Sequence, residues 1–128
     1  TISLGCPSAY DADDDELARL ASLGGAVRQS ASPQEAIAGA DVVHTDTWIS
    51  MGQEEESAIR RKIFSKYCVD ANLMALAAPN AKFMHCMPAH REEEVSTEVF
   101  DGPNSIVIQQ GHHRLTAARG ALSWVQGA

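Results

Sequence analysis

Residues 82–91 read KFMHCMPAHR, and the fold turns on how this stretch is understood. Phe83 and Met84 form a short apolar run of the kind a buried strand shows. The chain then becomes polar and halts at Pro88, which has no backbone N–H for a central ladder. Between them stand an imidazole and a thiol, His85 and Cys86. In an open α/β sheet, ligands sit in the crevice beyond the carboxyl ends of the strands. A strand end followed at once by reactive groups therefore marks a candidate site. A plainer reading of the same letters makes Cys86 a small buried apolar residue and His85 a satisfied core histidine. The neighbouring segments decide between the two.

On both sides strands alternate with helices. Ile2 to Cys6, Ala26 to Ser30, Asp41 to Thr45 and Ser105 to Ile108 read as further short strands bounded by turn residues. Leu17, Leu20, Ala21 and Leu23 have helical spacing, with Asp13, Asp14 and Glu16 placed to complement the dipole and Gly24-Gly25 to end the helix. Ser32-Pro33-Gln34-Glu35 is a compact helix start, with Ser32 as N-cap and Glu35 where a capping box wants it. A longer helix is predicted from Glu54 to Tyr67, and Glu56 and Arg60 in it form an i,i+4 pair. Asp70 is read as the cap of a helix carrying Leu73, Leu76 and Ala77. Residues 91–98 are polar, a loop with a short helical turn, and a last helix carries Leu115, Ala118, Leu122 and Val125. The alternation predicts one α/β domain over residues 1–128: an open, mainly parallel sheet of about five strands, flanked by helices and joined by right-handed crossovers.

Composition narrows the function. The 128 residues carry a net charge of −7, which opposes binding to nucleic acid or to an anionic membrane. The acidic clusters Asp11 to Glu16 and Glu92 to Glu94 are read as solvated helix starts. Cys6, Cys68 and Cys86 are odd in number and lack paired spacing, so neither a disulfide framework nor a zinc knuckle is expected, and a reducing compartment fits. No stretch reads as a membrane span or a signal peptide, and a cytoplasmic location is predicted.

Three strand ends carry polar groups: Asp46 with Ser50, His85 with Cys86, and Gln109-Gln110 followed by Arg114. In a parallel sheet these ends share one edge. Asp46 accepts from an ammonium or amide. Arg114 offers a planar fork for a phosphate, a carboxylate or a developing oxyanion. Cys86 donates weakly, or acts as base or nucleophile when ionised. Together they predict a small zwitterionic or phosphorylated ligand.

TDTWISMGQE, residues 45–54, and HCMPAHREEEV, residues 85–95, resemble the two signature stretches of the ornithine carbamoyltransferases. The elements between them, and the GHHR segment at 111–114, match the same family in order and spacing. The resemblance implies a Rossmann-like second lobe that binds L-ornithine. It also implies carbamoyl transfer from carbamoyl phosphate to the δ-amine, giving citrulline and phosphate, as in arginine biosynthesis and the urea cycle. It assigns Asp46, Ser50 and Met51 to the α-amino and carboxylate ends of the amino acid. Cys86 falls to the reacting amine, the Met87 backbone to the carbamoyl group, and Arg114 to the carbonyl and phosphate oxygens. His85 and Pro88 support them. No metal or organic cofactor is implied. Family members are commonly trimers, so a homo-oligomer is expected, and a mitochondrial matrix location in a eukaryote.

The chain departs from the family in places. Met87 stands where Leu is usual, a volume-conserving change that leaves a backbone contact intact. His113 replaces an Asn before the final Arg. No segment matches the family's Ser-Thr-Arg-Thr type phosphate loop. The first strand and helix of the second lobe have no counterpart either, so the chain is expected to be an ornithine-binding lobe incomplete at its N-terminus. On that reading it is inactive alone and associates with itself or with the missing lobe. Three rival readings are a non-catalytic amino-acid-binding module or inactive truncated paralogue, a metal site from Cys86 and nearby histidines, and a thiol hydrolase using Cys86 with His85. Spacing argues against the metal site. The opposite faces of adjacent strand residues argue against the hydrolase.

Overall fold

The structure, a computed structural model, describes residues 1–127. It has α/β architecture, with four short strands and six α-helices among the described residues. Strand β1 (Ile2–Gly5) leads through helix α1 (Asp14–Ser22) to β2 (Val27–Ser30). Helix α2 (Pro33–Ile37) leads to β3 (Val42–Thr45), and α3 (Ser57–Phe64) and α4 (Ala71–Met74) precede β4 (Lys82–His85). Helices α5 (Thr97–Phe100) and α6 (Val107–Gln126) complete the order. The β1–β2 pair is parallel, with Ile2 opposite Val27 and Gly5 opposite Ser30. So is the β3–β4 pair, with Val42 opposite Lys82 and Thr45 opposite His85.

Local chemistry explains the helix starts. Asp13, Ser32, Asp70 and Ser96 each accept, through a side-chain oxygen, a backbone N–H that the first turn leaves unpaired. The box predicted at Ser32 closes by a detour. Glu35 accepts from the Ser30 hydroxyl at 2.7 Å, and that hydroxyl in turn accepts the Ser32 N–H at 3.0 Å.

The core gathers on the β3–β4 side. Phe83 and Val95 are fully buried, packed with Ile37, Val43, Val69, Leu73, Val99, Phe100 and Val107. A second, aromatic contact ties the chain after β3 to α3. Phe64 lies 6.1 Å from Trp48 and 4.8 Å from Tyr10, ring centre to ring centre.

Two expectations change. The parallel sheet is divided: among the described residues, β1 pairs only with β2 and β3 only with β4. A groove of about 1220 Å³ is lined by residues of both β1 and β3, and among the described residues no hydrogen-bond ladder joins the halves. The strand expected at Ser105 to Ile108 is reduced to one bridge between Phe83 and Ser105. Helix α6 starts at Val107, earlier than the sequence implied, and the Ile106 N–H donates to the Phe83 carbonyl at 2.9 Å just before it. A short apolar run fits a strand or a buried helix end equally well. Here it is a helix end, with Val107 in the first turn buried and Ile108 exposed.

Candidate functional site

The site is assembled where β3, β4 and α6 meet. Asp46 follows the last residue of β3, and its Oδ1 accepts the Thr47 N–H at 2.7 Å, which folds the chain back at the strand end. Cys86 follows the last residue of β4. Its thiol faces the Asp46 carboxylate, and the proton it offers holds Asp46 below the usual carboxylate range. Burial first, and Asp46 second, push the Cys86 thiol up to about 11. The thiolate considered from sequence is therefore disfavoured at neutral pH. The anion at this edge is Asp46, and Cys86 is a donor.

Arg114 reaches the same edge from the second turn of α6, and its Nη1 donates to the Cys86 carbonyl at 2.6 Å. One turn earlier, Gln110 stitches both strands. Its Oε1 accepts the His85 N–H at 2.9 Å, and its Nε2 lies 3.2 Å from His44 Nε2. Asp46, Cys86 and Arg114 thus come together, as the strand-end argument required, although the third segment is a helix start and no strand end.

The other candidates divide. Ser50 shares the wall of the inter-sheet groove with Asp46, and Gln53 holds its backbone by exchanging hydrogen bonds at 3.2 and 3.1 Å. Cys86 and Arg114 are not in that wall, so the groove touches the site at its Asp46 end only. Met51 is 98% exposed and lies outside that wall. Met87 is in the left-handed region at φ 64°, followed by a cis peptide to Pro88. His85 is buried, and its Nδ1 accepts the Met87 N–H at 2.8 Å.

Sequence reasoning missed two participants. Gln110 was read as a strand end, and its amide instead fixes the spacing of β3 and β4. Glu94 was grouped with solvated acids, but the core encloses it completely. The cluster splits three ways: Glu92 accepts the Thr97 N–H at 2.8 Å, Glu93 pairs with Arg61 at 3.0 Å, and Glu94 faces His85 at 3.2 Å. A clue lay in Val95, since an acid next to an apolar position at the end of a loop stands beside the core.

With this geometry in view, the family model for the Asp/Orn binding domain of aspartate/ornithine carbamoyltransferases matches residues 1–125. The chain belongs to that family. It is 47% identical over 124 residues to the ornithine carbamoyltransferase of Oleidesulfovibrio alaskensis, covering 97% of this chain and 41% of that one. With the enzyme of Methanothermobacter thermautotrophicus it shares 44% over 130 residues, 98% of this chain and 43% of the relative. Among solved structures, the anabolic ornithine carbamoyltransferase of Campylobacter jejuni superposes with a TM-score of 0.89 at 29% identity, covering 98% of this chain and 43% of that chain. The Pyrococcus furiosus ornithine carbamoyltransferase gives 0.84 at 41% identity, covering 94% and 40%. The chain thus spans about two fifths of the length of the family members it matches. No helix among the described residues is long and apolar enough to cross a membrane.

Proposed function

We propose that this chain is the amino-acid-binding lobe of an ornithine carbamoyltransferase, which converts carbamoyl phosphate and L-ornithine to L-citrulline and phosphate. The observation that carries the reading is the meeting of Asp46, Cys86 and Arg114 at one edge. The names of its relatives support it. In this reading Asp46, the ionised carboxylate, draws in an ammonium of ornithine, with Ser50 on the same groove wall and Met51, exposed in the loop, meeting the ligand from the solvent side. The δ-ammonium must lose its proton before it can attack. Asp46, which stays a carboxylate, holds the ammonium end in place, and the δ-proton leaves to solvent. The Cys86 sulfur accepts an N–H of the resulting amine, which leaves its lone pair free to attack. The amine nitrogen then bonds to the carbamoyl carbon, and Arg114 stabilises the oxyanion that forms. The C–O bond to phosphate breaks, and phosphate leaves with that electron pair.

Carbamoyl phosphate is assigned to the part of the family's length that this chain does not span, and the 128 residues alone are expected to bind without turnover. Homotrimers follow from the same resemblance. A cytoplasmic location fits the three free thiols. Calorimetry of the chain with L-ornithine, and a citrulline assay on the chain alone and extended to family length, test the reading. Ornithine binding by both, with citrulline from the extended chain only, is expected. Binding by both with citrulline from neither would favour a non-catalytic amino-acid-binding module. No ornithine binding by either would remove the reading.

A further inference from the structure

Among the described residues, His85 and Glu94 are the buried polar or charged side chains. A carboxylate taken out of water is costly unless it is hydrogen-bonded. Glu94 Oε1 accepts the His90 N–H and lies 3.2 Å from His85 Nε2, while Oε2 has no partner among the described residues. The histidine ring is held from both sides. A backbone amide only donates, so the Met87 N–H at 2.8 Å requires a bare Nδ1 and leaves the proton of the neutral ring on Nε2. That is the nitrogen facing Glu94. The opposite tautomer would set two N–H groups against each other at Met87 and a lone pair against the carboxylate oxygen. Burial also holds the His85 pKa below its ordinary value, which favours the neutral ring. What the ring holds is an amide whose residue adopts φ 64°, a conformation that side-chain-bearing residues keep only with support.

We propose that Glu94 is a positioning residue: by accepting the Nε2–H of His85, its carboxylate fixes the tautomer whose bare Nδ1 grips the Met87 amide, and so sets the Cys86–Met87 turn. The value of that turn to catalysis rests on the functional reading above, but the link from Glu94 through His85 to Met87 stands on its own geometry.

Ring-nitrogen NMR of His85 in the chain is the direct test. A protonated Nε2 and a bare Nδ1 are expected, and a protonated Nδ1 would overturn the proposal in the unmutated protein. Glu94→Gln keeps an acceptor oxygen and is expected to keep the tautomer, with Met87 amide exchange within about twofold of the parent. Glu94→Leu removes the acceptor, and Met87 amide exchange is expected to quicken about tenfold, the loss of one hydrogen bond. An unchanged tautomer and unchanged protection in a folded Glu94→Leu chain would overturn the proposal. If that variant does not fold, the parent spectrum and Glu94→Gln decide. In the family-length enzyme, kcat should fall about tenfold in Glu94→Leu with KM little changed, and recover in Glu94→Gln. An unchanged kcat would overturn the proposal. An absence of carbamoyl transfer in the parent would sink the functional reading alone, because the ring spectrum still decides the link.

Discussion

The two half-sheets are made alike and used differently. Both are pairs of four-residue parallel strands in simple register. On β3–β4, Val43, Phe83 and His85 are buried, and four helices with the loop residues Val69 and Val95 contribute to the core around them. On β1–β2 no residue is buried. Strand pairing therefore does not by itself place a sheet in a core; what packs on its faces does. Every side chain assigned to chemistry lies on the packed half or on the loops leaving it. Catalytic and binding groups need neighbours that lock them, and only one half supplies such neighbours.

The difference gives measurable contrasts. The largest is expected in packing. Phe83→Ala should cost about 3–5 kcal/mol of stability, enough to unfold a marginal domain. Leu4→Ala on partly exposed β1 should cost about 1 kcal/mol or less. Urea denaturation compares them, and equal losses would abolish the distinction.

Next in size is the site. Asp46→Asn removes the anion at the edge and should weaken ornithine binding about 10- to 100-fold by calorimetry, the loss of a charge-assisted hydrogen bond. Unchanged affinity would detach Asp46 from the ligand. A comparable effect is expected at the open edges. Strand edges that lack partners pair with other chains, so the weight-average mass by sedimentation should rise above 13.7 kDa with concentration. A monodisperse monomer at all concentrations would mean that the groove between β1 and β3 is adequately covered as it stands.

The smallest effect is a titration. Because its folded value near 11 lies above the ordinary 9.0, Cys86 contributes stability below pH 9.0, and that contribution fades as pH climbs through about 11. Alkylation of Cys86, located by mass spectrometry, should therefore accelerate only in that alkaline window. In Asp46→Asn the midpoint should move down but stay above 9.0, since burial, the larger cause, remains. A midpoint unmoved by the substitution would break the Asp46–Cys86 link.

Features with local causes were legible in the sequence. The helix caps at Ser32 and Asp70 lie within three residues of what they bond. Strands β3 and β4 ended where polar residues interrupted an apolar run, and the residues just beyond them led to the site. What escaped depended on distant partners. The burial of Glu94 is decided by the chain folded around it, and apolar Val95 beside it is only a local hint. The division of the sheet is a fact about pairing between segments far apart in the chain. Ile106, Val107 and Ile108 were ambiguous because one residue of bridge and the first turn of a helix share the same apolar requirement.

Helix α6 is 20 residues, about 30 Å, long, yet it is buried only at Val107. Arg114 rides about 10 Å along it, so the helix behaves as a lever pivoted in the core with the guanidinium a third of the way out. A tilt of about ten degrees would move that cation by about 2 Å while leaving the pivot in place, enough to part it from the Cys86 carbonyl. Any load placed on the far, bare end of the rod would therefore reach the positive group through the helix itself, opposed by the stitch at Gln110.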